Sequence, residues 1–126
     1  MRGDVATAKV RMAASIGYWR DIDDVDRLIC PRERVVRMAA GQWDARGGVL
    51  VLTDKRLVFV ATDSIQWAIE RAPGVNVRCV CGGRFGTVTV TAGGERFTVR
   101  QVERCDGASL AEAADGRCFW SDRATA

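Results

Sequence analysis

Apolar residues recur every three or four positions between residues 4 and 29, and this spacing predicts an amphipathic helix. The stripe consists of Met12, Ile16, Trp19, Ile22, Val25, Leu28 and Ile29. Asp4 suits the N-cap position at one end, and Pro31 ends the pattern at the other. Gly17 interrupts the stripe, so the segment forms either one helix or two shorter ones.

From residue 33 onward the apolar period changes to two, which predicts β-strands separated by turns. The predicted strands are one ending near Trp43, two in the hairpin at 47–63, and four at 65–69, 75–81, 87–91 and 97–100. Asp44 to Gly48 is the predicted turn before the hairpin, and the segment 108–114 predicts a short closing helix. This order of elements indicates a mainly β (α+β) fold, either a partly open barrel of about seven antiparallel strands or a sandwich.

The same pattern predicts how the chain is divided. Residues 1–30 are the N-terminal amphipathic helix, 31–118 are the β-domain with its closing helix, and 119–126 are a tail.

The hairpin GGVLVLTDKRLVFVATD at 47–63 differs from the other strands because both of its strands are apolar on both faces. Such strands must be covered on both faces. The barrel interior covers one face, and either the N-terminal helix or a second copy of the protein covers the other. The candidate interface therefore comprises Trp19, Ile22, Val25, Val49, Val51, Val58 and Val60. Burial of Trp19 in this interface predicts that Trp19→Ala destabilises the fold by roughly 3 kcal/mol or more.

The composition of the 126-residue chain fits one globular domain. The net charge of +3 is a mild surplus spread along the chain, so we expect no nucleic-acid partner. No apolar run has membrane-spanning length, and the N-terminus lacks a signal-peptide pattern. Because the five cysteines are odd in number, we expect reduced thiols and a cytoplasmic location.

We expect no catalytic residues, no cofactor and no metal site. The chain has no histidine, no G-x-S-x-G elbow and no glycine-rich phosphate loop. Cys79 and Cys81 have a spacing that matches zinc motifs poorly, and on a strand they point with Val77 toward one core face. The acidic run at 21–26 lacks the glycine and final glutamate of a calcium loop. It therefore predicts a solvated helix face or an acidic docking surface.

The hairpin also carries a family resemblance. An apolar strand, the residues Leu52-Thr53-Asp54-Lys55-Arg56-Leu57 and a second apolar strand resemble the bacterial pleckstrin-homology-like domains, close to the YokE-like and GRAM-like groups. The resemblance covers residues 30 to 115 and includes the Gly93-Gly94 turn and the final helix. It implies a pleckstrin-homology-like (PH-like) partly open barrel with a C-terminal capping helix, to which the N-terminal helix is added.

The residues of the motif have a structural interpretation of their own. Thr53 and Asp54 suit the capping of the turn through their side-chain oxygens, and Arg56 is expected to pair with Asp54 across it.

Domains of this kind mostly bind, and their eukaryotic relatives hold lipid head groups between three loops. The matching loops here, 44–48, 62–64 and 92–96, contain Arg46 and Arg96 against three carboxylates, those of Asp44, Asp63 and Glu95. Because this balance is nearly neutral, we expect weak or no binding to anionic membranes. The favoured function is a non-enzymatic module that acts through protein–protein contacts, with self-association included. A peripheral membrane or anionic-lipid-binding module is the alternative, and a small enzyme is a distant third.

Overall fold

A computed structural model describes residues 1–14 and 17–114 and the backbone of 117–120. Within this part of the chain, three helices and eight strands follow one another. They are α1 (Gly3–Arg11), α2 (Trp19–Leu28), β1 (Val35–Trp43), β2 (Arg46–Thr53), β3 (Arg56–Ala61), β4 (Ser64–Glu70), β5 (Asn76–Cys81), β6 (Phe85–Ala92), β7 (Glu95–Glu103), α3 (Arg104–Ala113) and β8 (Arg117–Trp120).

The strands form one open sheet in the order β4-β3-β2-β1-β7-β6-β5-β8. Neighbouring strands are antiparallel from β4 through to β5, and β8 joins the end of the sheet parallel to β5. The predicted fold class is confirmed: the chain is mainly β, with seven antiparallel strands, a helical N-terminus and a C-terminal helix. The sheet does not close into a barrel.

Strands β2 and β3 divide the interior into two cores. In their register, Leu50 faces Phe59 and Leu52 faces Leu57, while Val49 faces Val60 and Val51 faces Val58. The leucines and Phe59 belong to what we call the inner core, which also receives side chains from β1, β4 to β7 and α3. The four valines belong to the outer core, on the other side of the same strands.

The outer core is closed by the two N-terminal helices. Val5, Ala8 and Met12 from the α1 segment and Ile22, Val25 and Ile29 from the α2 segment pack against the four valines. The helices are separated near Gly17, whose φ of +91° is a left-handed conformation that favours glycine. The interruption foreseen at Gly17 is therefore confirmed, and the two N-terminal helices rather than a second copy cover the hairpin. Ile16 lies outside the described residues.

The inner core joins the two halves of the sheet to α3. An added Cβ at Gly107 would lie 3.0 Å from the Sγ of Cys79 and 3.1 Å from Val102, so the glycine lets α3 approach the sheet closely. Val77, Cys79 and Cys81 are all buried on this side, as their alternation predicted. At the other end, four aromatic rings pack together, with the Trp67 and Phe97 centroids 4.4 Å apart and Trp43 and Phe59 beside them.

Three boundaries differ from the sequence-based expectation. The turn after β1 is only Asp44 and Ala45, both with left-handed φ, so Arg46, Gly47 and Gly48 belong to β2. Helix α3 begins at Arg104 rather than at residue 108. The Glu103 carboxylate accepts hydrogen bonds from the backbone N–H groups of Cys105 and Asp106, which caps the helix there. Residues 117–120, which extend into the expected tail, form β8, and 121–126 lie outside the described residues.

Candidate functional site

The predicted hairpin interface lies inside the protein. Val49, Val51, Val58, Val60, Ile22 and Val25 each have no exposed surface. These six residues pack against one another between the sheet and the helices. They therefore hold the N-terminal segment on its own β-domain and offer no surface to a second molecule in this conformation.

Trp19 is the exception, and its predicted burial is wrong. Its side chain is 64% exposed, although it lies three positions before the fully buried Ile22. Helix α2 begins at Trp19, so this residue stands at the helix end next to the β3–β4 turn rather than over the flat face of the hairpin. The helical period predicted the direction of the side chain but not how far the sheet surface extends beneath it.

Trp19 lines an open cleft between the start of α2 and the β3–β4 turn, which we call the Trp19 cleft. Its lining also includes Arg20, Asp21, Asp24, Thr62 and Asp63, and its volume is about 640 Å³. The turn residues Thr62 and Asp63 both have left-handed φ values, +53° and +65°. Arg27 fixes the turn to the helix: its Nη2 lies 3.2 Å from Oδ1 of Asp24 and 3.2 Å from the backbone oxygen of Asp63.

The Trp19 cleft carries an excess of negative charge. Partial burial raises the pKa of Asp21, and the neighbouring carboxylates of Asp24 and Asp63 raise it further. Burial and like charges both disfavour the ionised form of a carboxyl group. The cleft thus combines an exposed indole with three carboxylates, a combination that favours a positively charged group.

The Leu-Thr-Asp-x-Arg-Leu motif has a structural role. The Thr53 hydroxyl accepts hydrogen bonds from the backbone N–H groups of Lys55 and Arg56, at 3.1 and 2.9 Å, and it donates to Oε2 of Glu33 at 2.6 Å. Asp54 accepts a hydrogen bond from the backbone N–H of Arg34. The turn-capping role predicted for Thr53 is confirmed, whereas that of Asp54 is wrong, because its carboxylate accepts from the incoming chain at Arg34 rather than from the turn.

The expected pairing of Arg56 with Asp54 is wrong. Nε of Arg56 instead donates to Oε2 of Glu33 at 2.8 Å. Glu33 is buried, which by itself raises its pKa, but the hydrogen bonds from Arg56 and Thr53 outweigh burial and hold the pKa below its usual value. Asp54 bonds to the backbone of Arg34, and Arg56 bonds to Glu33, a pairing that the hydrophobic pattern alone did not reveal.

The two candidate anion-binding arginines lie in different places. Nη1 of Arg46 donates to Oε1 of Gln66 on β4, at 2.7 Å. Arg96 instead lines a cleft between the end of β1 and the outer side of β7, together with Arg100 and Asp44. Asp63 belongs to the Trp19 cleft. The charges of the three loops therefore do not all face one site: Asp44 and Arg96 share a cleft, and Asp63 lies in another.

The described residues form neither a metal-binding cluster nor a membrane-spanning helix. Among the described residues, no group of three or more histidine, cysteine, aspartate or glutamate side chains could hold a metal ion. The Sγ atoms of Cys79 and Cys81 lie 3.4 Å apart, both buried in the inner core. In the same part of the chain, no helix is long and apolar enough to cross a membrane.

Sequence reasoning missed the residues that complete each cleft. Asp63 meets Asp21 only because the β3–β4 turn packs beside α2, a contact between segments about forty positions apart. Arg100 was recoverable, because it alternates with Thr98 and Arg96 along one face of β7. The apolar residues of that alternation predict the strand, and its polar residues predict which face the two arginines share.

No protein-family model and no curated protein sequence matches the chain. Its function is therefore inferred from its own residues.

Proposed function

We propose that the chain is a non-enzymatic binding module of PH-like architecture that acts through protein–protein contacts, with the Trp19 cleft as the contact surface. The strand order, the C-terminal helix against the inner core and the Leu52–Leu57 turn support the PH-like assignment. The exposed free thiols of Cys30 and Cys105 suit the reducing cytoplasm, where we place the module.

The exposure of Trp19 is the observation that carries the proposal. A tryptophan that is 64% exposed costs stability to keep in water and is the residue type most enriched at binding hot spots. Ile22, Val25 and Ile29 of the same stripe are buried, so the exposure is not shared by the whole helix. Trp19 therefore offers an anchor for a second molecule.

The charges around Trp19 indicate the chemistry of the partner. Asp21, Asp24 and Asp63 line the cleft against Arg20 alone, and Asp24 is already paired with Arg27. An arginine or lysine side chain from a partner protein would stack on the indole and place its charge beside Asp21. Such cation–π contacts contribute about 0.5 to 2 kcal/mol, depending on desolvation. The proposed partner is therefore a basic protein segment.

The test compares a peptide of alternating arginine and glycine with the same peptide in which citrulline replaces arginine. Citrulline keeps the shape of the side chain and removes its charge. We expect the arginine peptide to bind, and Trp19→Ala to weaken binding at least about tenfold. Asp21→Asn should weaken it by a smaller, salt-dependent factor, since one charge is lost from the rim. Calorimetric titration measures both.

The matched control is Val10→Ala, because Val10 is 84% exposed on α1 and lies outside the Trp19 cleft. This variant should bind like the parent protein. Equal binding of the two peptides, or an unchanged affinity in Trp19→Ala, would contradict the proposal. A dimer that depends on Trp19 in the absence of peptide, measured by light scattering, would identify a second copy of the chain as the partner instead.

A further inference from the structure

The cleft beside β7 has a different chemistry from the Trp19 cleft and a separate location. It is formed by Gln42, Trp43 and Asp44 at the end of β1 and by Arg96, Thr98 and Arg100 on β7, and its volume is about 660 Å³. That volume lies in the range of small-molecule sites. We call it the Arg96–Arg100 cleft. Its polar side chains stand on two hydrogen-bonded strands, because Gln42 of β1 pairs with Arg100 of β7.

Both arginines face the same side of β7. Residues 96, 98 and 100 occupy alternate positions, so their side chains share one face of the strand. Val99 points the other way, into the inner core. The two arginine Cα positions are separated by about 13 Å at the usual rise of a strand. Two long side chains on that spacing can converge over Thr98.

A strained bulge lies at the Arg100 end of this face. The register with β6 pairs Val88 with Val99 and then Gly86 with Val102, so β7 has one extra residue at this point. Gln101 has a φ of +56°, which is unfavourable for a residue with a side chain. Bulges of this kind reorient side chains. Here the bulge keeps both Val99 and Val102 in the core while Arg100 and Gln101 remain exposed.

Within the described residues, no ion pair neutralises the two arginines of the cleft. Arg96 and Arg100 make no side-chain hydrogen bond or ion pair with any of the residues that the structure describes. Asp44 is the one carboxylate in the lining, against two guanidinium groups. Unpaired arginines on rigid strands are ready to receive an anion without first breaking another contact.

We propose that the Arg96–Arg100 cleft binds a phosphate-bearing anion, with the two guanidinium groups as charged donors and the Thr98 hydroxyl and Gln42 amide as neutral ones. Guanidinium groups match phosphate oxygens through paired, parallel hydrogen bonds. Two such groups and a hydroxyl offer more donors than a single carboxylate can accept, which favours phosphate. The phosphate belongs either to a soluble compound or to a lipid head group at a membrane surface.

The site overlaps only in part with the three-loop arrangement that the family resemblance implied: Asp44 and Arg96 belong to two of those loops, whereas Thr98 and Arg100 lie on the strand. The β3–β4 turn, the second of those loops, packs beside α2 in the Trp19 cleft. Arg46, at the start of β2, is bonded to Gln66. The proposed anion site uses Arg100 in place of these groups, and it does not depend on the function assigned to Trp19.

Titration of the full chain with inorganic pyrophosphate, followed by calorimetry and by backbone amide NMR shifts, tests the proposal. We expect saturable binding with shifts centred on 42–45 and 96–101. Arg96→Gln and Arg100→Gln should each weaken binding at least about tenfold, the usual scale for removing a charged hydrogen-bond donor. Asp44→Asn should tighten binding, because it removes the opposing carboxylate.

The matched control is Arg32→Gln, which removes the same charge from an exposed position outside the cleft. A similar loss in Arg32→Gln would mean that net charge alone attracts the anion, and would overturn the site. The absence of saturable pyrophosphate binding would overturn it as well. Thermal unfolding of each variant without ligand checks that the fold is intact.

A second arm separates the two sources of phosphate. Phosphatidylcholine vesicles with and without phosphatidic acid are pelleted with the parent protein and the Arg96→Gln and Arg100→Gln variants. Pelleting that requires both phosphatidic acid and the two arginines supports a head group as the ligand. Pyrophosphate binding without pelleting supports a soluble phosphate compound.

Discussion

The inner and outer cores share strands β2 and β3 but are closed in different ways. The inner core is closed by the other strands of the sheet and by α3, with leucine, aromatic and cysteine side chains. The outer core is rich in valine and is closed by two short helices. Short amphipathic helices have little stability in isolation. The outer core therefore depends on groups that anchor the N-terminal segment.

Those anchors are polar and lie at the ends of the helices. Asp4 accepts a hydrogen bond from the backbone N–H of Val35 at 2.7 Å. The Arg2 guanidinium donates to the backbone oxygens of Ile29, Cys30 and Glu33 at the end of α2. Asp106 of α3 accepts hydrogen bonds from the N–H groups of Ala13 and Ala14. The apolar pattern of a strand determines that its face is buried. The polar anchors determine which segment of the chain covers that face.

Removal of residues 1–29 should produce the largest effect, because it uncovers the whole outer core. Val49, Val51, Val58 and Val60 would then form a contiguous apolar face, which monomeric proteins rarely expose. We expect the truncated chain to self-associate or aggregate in light scattering at concentrations where the full chain does not. A truncated chain that stays monomeric and unfolds at the parent's denaturant midpoint would show that the outer core contributes little.

A pair of substitutions on α2 measures the outer core without deletion. Ile22→Ala removes a fully buried side chain and should lower the free energy of unfolding by about 2 to 5 kcal/mol. Trp19→Ala, three residues earlier, removes a larger but exposed side chain and should change it by only about 0.5 kcal/mol. Urea unfolding of both variants gives the two values. Similar losses would mean that Trp19 packs on the protein in solution.

The contrast between these two residues also shows what the sequence could predict. The alternation of the strands predicted the fold class, and the hairpin that is apolar on both faces predicted that its outer face is covered. Both predictions depend only on local spacing in the sequence. The Trp19 cleft depends on where α2 begins and on which turn lies beside it. The Glu33–Arg56 pair and the β7 bulge likewise arise from contacts between distant segments. Hydrophobic periodicity contains no information about such contacts.

We expect low pH to destabilise the outer core before it destabilises the inner core. Burial alone would raise the pKa of Asp4, but hydrogen bonds from the Val35 N–H and the charge of Arg2 hold it below the ordinary value of 3.8. A carboxylate with a lowered folded-state pKa stabilises the fold above its unfolded pKa and loses that contribution as pH falls through the folded value. The pKa of Glu33 is likewise held below its ordinary value of 4.5, so its contribution to stability is also lost as the pH falls.

Below about pH 4.5, hydrogen exchange should therefore accelerate in α1 and α2 before it does in β6 and β7. Burial raises the pKa of Asp106, so protonation of that residue acts in the opposite sense and does not account for the loss. Asp4→Asn should reduce the acid sensitivity of α1. Simultaneous exchange of both regions at every pH would show that the two cores unfold as one unit.

The smallest predicted effect comes from a position that belongs to neither core. Ala45 has a φ of +62° in the two-residue β1–β2 turn, and a side chain in this conformation costs roughly 1 kcal/mol relative to glycine. Asp-Gly is a preferred pair for such hairpin turns. Ala45→Gly should thus raise the unfolding midpoint slightly, with relief of strain partly offset by the greater freedom of glycine in the unfolded chain. Because β1 and β2 line both cores, protection from hydrogen exchange should rise equally in the helices and in the β5–β7 half of the sheet. A gain confined to one side would mean that the turn is coupled to that core alone.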